Sequence, residues 1–135
     1  MSVEHEVAFV RAFVETSQQR RLIELLSTKN GRKKFLDRLS HSVEFSNQFS
    51  KKVPADMQNA LNIRALLSNS GAGETCYAIS ENVRWDQKIL PLDEALKGVV
   101  GSNMPTILSC HLGLLAYFEG EERGERYILQ HTRDT

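Results

Sequence analysis

The most reactive pair of neighbouring side chains in the sequence is Cys110 and His111, at the end of a predicted strand. A thiol beside an imidazole suggests a nucleophile, a metal-ligand pair or a haem ligand. Consecutive residues of a strand point to opposite faces of the sheet, so these side chains cannot share a proton or a metal ion unless the backbone bends there. The simpler interpretation is a small buried cysteine followed by a turn histidine. The covalent haem pattern, two cysteines before a histidine, is absent from the sequence.

A polar loop, residues 80–87, follows the first predicted strand and holds the only tryptophan of the chain. Ligands of α/β sheets bind beyond the carboxyl ends of parallel strands, and the sequence predicts such an end here. Glu81 and Asp86 would then form an acid and base pair or bind a cation, with Trp85 beside them. Together with Cys110 and His111, they define an alternative pocket that would bind a small molecule, a metal ion or haem. Catalysis in this pocket is part of the same alternative. A capping and turn loop is the simpler interpretation.

Four glutamates, Glu119, Glu121, Glu122 and Glu125, flank two glycines in a predicted hairpin connection. A calcium loop places oxygen ligands at alternate positions and closes with a spaced glutamate, and this segment lacks that pattern. The run is therefore predicted to be a solvated turn.

The most unusual feature of the chain is a basic segment, residues 20–38, with seven Lys or Arg and two acids, a net charge of seven minus two, or +5. Such a cluster can pair with phosphates or carboxylates. We expect the contact residues to be Arg20, Arg21, Arg32, Lys33 and Lys34. Three interpretations stay open: a solvated helix face, a protein partner with an acidic patch, and nucleic acid.

The total charge argues against a dedicated nucleic-acid-binding domain. Seventeen basic and seventeen acidic side chains cancel over the 135 residues. Residues 1–70 carry eleven basic and seven acidic side chains, a net of +4, whereas residues 71–135 carry six and ten, a net of −4. The acidic half would repel a nucleic-acid backbone unless it faced away, and it is itself a candidate partner for the basic segment. Self-association to a dimer is therefore among the expectations.

The hydrophobic periodicity predicts a single α+β domain over residues 1–135. Helices are expected over about 3–14, 16–27, 32–43 and 54–67, and a short one over 92–99. Thr16 and Gln19 form a predicted capping box, and Asn30 with Gly31 is predicted to end the second helix. Strands are expected over 74–80, 106–110, 114–119 and 126–130. They would form a four-stranded mixed sheet with one β-α-β crossover and a carboxyl-terminal meander, covered on one face by the amino-terminal helical layer.

Composition and motifs favour a cytoplasmic binding module over an enzyme. No glycine-rich phosphate loop, zinc-protease pair or serine elbow occurs in the sequence. The two cysteines lack the paired spacing of a zinc site, so no cofactor is expected, with haem or a metal as the alternative. No stretch approaches the roughly 18 uncharged apolar residues of a membrane span, so no membrane contact is expected.

Several segments of the carboxyl-terminal half form a recognisable pattern: residues 75–82, 104–106, 109–110, 115–121 and 126–129. With the segment 32–39, they resemble a family of small uncharacterised bacterial proteins. The resemblance implies a free-standing bacterial domain, and it brings no activity, ligand or site residue to this chain.

Overall fold

The computed structural model describes residues 3–39 and 43–131, which contain five α-helices and six β-strands. The helices are α1 (Val3–Phe13), α2 (Thr16–Leu26), α3 (Lys29–Arg38), α4 (Ala60–Asn69) and α5 (Leu92–Val99). The strands are β1 (Ser50–Lys52), β2 (Thr75–Ser80), β3 (Ile89–Pro91), β4 (Thr106–His111), β5 (Leu115–Glu119) and β6 (Arg126–Gln130). The chain is therefore α+β, as its periodicity predicts.

The six strands form one open sheet in the order β1-β6-β5-β4-β2-β3, and every neighbouring pair is antiparallel. The predicted meander is present as β4, β5 and β6. The predicted four-stranded mixed sheet is wrong, because two strands of three residues each extend it at both edges. Strand β1 lies in the segment 45–53, whose serines, asparagine and lysines predict a loop, and β3 follows directly after the predicted polar loop, which ends at Lys88.

The predicted crossover is also wrong in its first strand. Between β2 and α5 the chain turns back and adds β3 to the outer edge of β2. Both β3 and β4 are antiparallel to β2, so they run parallel to each other on either side of it. Helix α5 connects β3 to β4 and so crosses over β2. The reversal at β3 thus makes β2 and β4 antiparallel neighbours.

Helices cover both faces of the sheet, whereas the sequence predicts a layer on one face only. On one face, α1, α2 and α3 bury residues such as Phe9, Leu25 and Phe35 against Ile79 and Phe118. On the other face, α4 and α5 bury a second cluster against the intervening residues of the same strands. Because both faces of the central strands are covered, nearly every residue of β2, β4 and β5 is buried, including the polar Ser80, Thr106 and Ser109.

The boundary between α2 and α3 differs from the prediction at both ends. The predicted capping box of Thr16 and Gln19 is absent, because the residue that caps α2 is Glu15 and its side chain makes no capping hydrogen bond. The side-chain Nε2 of Gln19 instead donates to the Val14 carbonyl at 2.9 Å. Thr28 caps α3 by accepting from the Gly31 amide at 2.9 Å, so Gly31 lies inside the first turn of α3. A Cβ atom there would collide with the carbonyl oxygen of Leu25, so the glycine permits the close approach of α2 to α3.

The fourth helix begins later than Pro54, where the sequence places it. A 3-10 turn, Ala55–Met57, follows the proline, and Asn59 then caps α4 by accepting from the Asn62 amide at 2.9 Å. An asparagine side chain satisfies an amide that the first helical turn leaves free, which Pro54 cannot do.

Candidate functional site

Arg32 points into the protein. Its side chain is 14% exposed, and its Nη2 lies 2.7 Å from Oε2 of the fully buried Glu6. Its Nη1 lies 2.6 Å from Oδ2 of Asp86, which is 15% exposed. Arg32 is therefore not part of the exposed basic surface that the sequence predicts.

Four side chains, Glu6, Arg32, Tyr77 and Asp86, form what we call the Arg32 cluster. Tyr77 lies on β2, and its hydroxyl donates to Glu6 Oε2 at 2.7 Å. Asp86 accepts from the Ser80 amide at 2.9 Å, which holds the loop after β2 in place. The cluster thus joins α1, α3, β2 and that loop. A buried carboxylate requires this number of donors, because an unpaired charge is very costly in the interior.

The charged groups of the Arg32 cluster pair with one another. Burial alone would lower the pKa of Arg32, but its hydrogen bonds to Asp86 and Glu6 raise that pKa above its ordinary value. The guanidinium therefore stays charged, with its donors directed at these two carboxylates. The arrangement acts as a clamp between elements and leaves Arg32 unsuited to hold a ligand phosphate.

A serine–histidine pair lies beside the cluster. His5 stacks on Tyr77 with ring centroids 4.9 Å apart, and its Nδ1 lies 3.1 Å from Oγ of Ser109. Burial lowers the pKa of His5, although Glu4 and Glu6 oppose the shift. Ser109 is only 3% exposed, so a substrate cannot reach its hydroxyl in this conformation. The pair is therefore a packing contact of α1 on the sheet.

Five of the remaining cations of α2 and α3 face solvent, whereas Arg38 at the end of α3 is half-buried. We call Arg20, Arg21, Lys29, Lys33 and Lys34, all exposed, the α2–α3 basic surface. The side chains of Arg20 and Arg21 are 94% and 56% exposed, and each lies 3.9 Å from a carboxylate oxygen of Glu24. Ion pairs this long and this exposed contribute little, so both arginines remain available to a partner.

A shallow cleft of about 660 Å³ adjoins this surface. Lys29 and Lys33 lie one helical turn apart on its rim. The apolar lining of the cleft comes from Val3, Leu26 and Leu36. Val3 is half-exposed. Charge and apolar area therefore occur together at the amino-terminal end of α3.

The residues of the alternative pocket do not converge. In the register of β2 and β4, Ser80 is opposite Thr106 and Tyr77 is opposite Ser109. The loop with Glu81 and Asp86 follows Ser80, whereas Cys110 and His111 follow Ser109, at the other end of the strand pair. At about 3.3 Å per residue, they are separated by roughly 13 Å or more along the sheet.

Most of the pocket residues make local contacts instead, and the backbone amide of Glu81 donates to the Pro105 carbonyl at 3.3 Å. Asp86 belongs to the Arg32 cluster, and Trp85 packs over Gly98 so closely that a Cβ atom there would collide with its ring. Cys110 packs on the α4 and α5 face, and His111 is exposed. A bulge in the β4–β5 register between Ser109 and His111 does bend the backbone at the cysteine.

A second buried cluster lies in the run that was predicted to be a solvated turn. Glu119 is fully buried, and its carboxylate accepts from the Tyr117 hydroxyl at 2.6 Å and from Arg126 Nε at 3.0 Å. The amides of Gly101 and Asn103 donate to its other oxygen at 2.9 and 3.1 Å. The solvated-turn prediction is therefore wrong for Glu119, which ties the end of α5 to β5 and β6.

Sequence reasoning missed Glu6 as well, although a signal was present. Glu6 shares the helical face of Phe9, Val10 and Phe13, the buried residues of α1. A carboxylate at this spacing must be paired when the helix packs, which points to a buried cation elsewhere in the chain.

Within the residues that the structure describes, no His, Cys, Asp or Glu side chains group in threes to hold a metal ion. None of the described helices combines the length and the apolar character needed to traverse a bilayer. Comparison of the chain with protein-family models, with the curated proteins and with the solved structures found no match.

Proposed function

We propose that this chain is a non-enzymatic interaction module that binds an acidic segment of a protein partner through the α2–α3 basic surface. One observation carries the proposal: five exposed cations on two packed helices stand against two exposed acids, Glu24 and Asp37, a net charge of five minus two, or +3. These cations are distinct from Arg32, which the protein uses internally.

A protein segment suits this surface better than a nucleic acid does. The chain has no net positive charge, so it lacks the overall field that draws a polyphosphate backbone. The cleft beside Lys29 and Lys33 has apolar walls at Val3, Leu26 and Leu36. A peptide with acidic residues next to a large apolar side chain would use both features, whereas a phosphate backbone would use only the cations.

The Arg32 cluster supports the same proposal through rigidity. It holds α3 against α1 and the loop after β2, so the cations of α3 are presented from a fixed helix. A preorganised surface loses less conformational entropy on binding, which increases affinity.

The proposal can be tested by fluorescence anisotropy with a labelled peptide that combines glutamate and leucine. We expect binding that weakens as salt rises from about 50 to 200 mM, because counterions screen exposed charges. The double substitution Lys33→Glu and Lys34→Glu should weaken binding by roughly tenfold or more, since two attractive charges become repulsive.

The matched control is Lys51→Glu with Lys52→Glu, which reverses two adjacent exposed lysines of β1 on a different element. It should bind nearly as well as the unmodified chain. Equal loss in both variants, or no binding by the unmodified chain, would refute the proposal. Tighter binding to an RNA or DNA strand than to the peptide would replace the protein partner with nucleic acid. Analytical ultracentrifugation of the unmodified chain alone measures its mass in solution, and a dimer there would make a second copy the partner in place of the acidic segment.

A further inference from the structure

The two cysteines lie on neighbouring strands and on the same face of the sheet. Cys76 is on β2 and Cys110 on β4, and both are free thiols in the structure. Cys76 is a buried member of the cluster that α4 and α5 cover, and Cys110 packs against the same cluster. The β2–β4 register pairs Tyr77 with Ser109, so one further step places Cys76 opposite Cys110.

The hydrogen-bonding pattern brings this pair close. The amide of Glu81 donates to the Pro105 carbonyl, and the amide of Ala78 donates outward to Lys88 on the β3 side. Odd-numbered residues of β2 therefore bond to β4, and even-numbered residues face it without bonds. Opposite residues of the unbonded type have Cα atoms about 4.5 Å apart. Disulfides span Cα separations of roughly 4.4 to 6.8 Å.

Access favours Cys110 as the first thiol to react. Cys76 is 3% exposed, whereas Cys110 is only partly buried. The bulge between Ser109 and His111 also leaves Cys110 without a partner position in the β4–β5 register. Its backbone can therefore adjust to a disulfide with less loss of ladder hydrogen bonds than a regular strand residue.

We propose that Cys76 and Cys110 form a dithiol that closes to a disulfide across β2 and β4 on reaction with a small disulfide such as oxidised glutathione. The Cys110 thiolate attacks one glutathione sulfur, which forms a mixed disulfide and releases one glutathione thiolate. The Cys76 thiolate then attacks the Cys110 sulfur and releases the second. The two protein thiols are oxidised, the glutathione disulfide is reduced to two thiols, and their protons come from the two cysteines.

The pH dependence of this reaction follows from burial. Burial raises the pKa of Cys76 to about 12. Burial and the neighbouring Cys76 also raise the pKa of Cys110 to about 12, although the positive charge of Arg64 on α4 opposes that shift. Only the thiolate attacks, so the rate should rise about tenfold per pH unit well below that pKa.

The test is mass spectrometry of the full chain after incubation with oxidised glutathione at about pH 8.5, where thiolates are more abundant. We expect a monomer lighter by two hydrogens and, in a non-reducing digest, a peptide containing Cys76 linked to one containing Cys110. Cys76→Ser should stop at a glutathione adduct on Cys110. A lasting adduct on the unmodified chain, a disulfide between two chains, or two thiols that persist would each overturn the proposal.

Discussion

The guanidinium of Arg32 donates three hydrogen bonds to the carboxylate of Glu6, from Nε at 3.0 and 3.2 Å and from Nη2 at 2.7 Å. Because Glu6 is fully buried, this contact fixes α3 to α1. It also divides the basic segment into one cation that the fold requires and several that it leaves exposed.

Arg32→Met should destabilise the protein by about 3–5 kcal/mol, because it leaves the buried Glu6 without its cation. Urea denaturation measures the change. Adding Glu6→Gln to Arg32→Met should restore part of the loss, since a neutral amide costs less to bury than a carboxylate. Lys33→Met, one residue away and exposed, should shift stability by no more than about 0.5 kcal/mol. Equal effects of Arg32→Met and Lys33→Met would show that the cluster does not hold the helices.

Glu119→Gln should also destabilise the fold, since the amide group cannot accept from all four of its donors. Each buried donor left unpaired costs about 1–3 kcal/mol. Glu122→Gln is the matched control, because Glu122 is an exposed glutamate of the same turn. Thermal unfolding followed by circular dichroism distinguishes the two variants. A Glu119 variant as stable as the Glu122 variant would contradict the buried role.

The pH dependence of stability should contain a contribution from His5. Burial lowers its pKa in the folded protein from the ordinary value of 6.5, so the unfolded chain binds more protons near that pH. Stability should therefore fall as the pH drops through about 6.5 and recover as it rises. The fall in melting temperature between about pH 7.5 and 5.5 should be smaller in His5→Gln. Identical falls in the two proteins would exclude this contribution.

Local periodicity predicts most of the long elements of this fold. Strands β4, β5 and β6 have boundaries within a residue or two of those expected, because apolar runs and glycine turns mark them. The short strands β1 and β3 escape prediction. Three residues such as Ser50–Lys52 are polar, and they become a strand only because β6 offers a free edge. Tertiary pairing, which local sequence does not encode, therefore sets the strand number.

The division of the basic segment likewise depends on distant residues. Arg32 and Lys33 are neighbours of similar charge, and sequence alone gives no reason to separate them. Their roles differ because α1 and the loop after β2 bring Glu6 and Asp86 to one side of α3. The exposed positions of Lys33 and Lys34 follow from the helical spacing of the buried Phe35 and Leu39.

The most direct measurement of the proposed function is an NMR titration of the isotope-labelled full chain with the glutamate and leucine peptide. Backbone amide shifts should change most at Arg20, Arg21, Lys33 and Lys34 and along the adjoining cleft, and the changes should shrink as salt is added. The chemical shifts of the β1 amides should not change. Shifts centred on another face of the sheet, or none at peptide concentrations that saturate the anisotropy signal, would contradict the assignment of α2 and α3 as the binding surface.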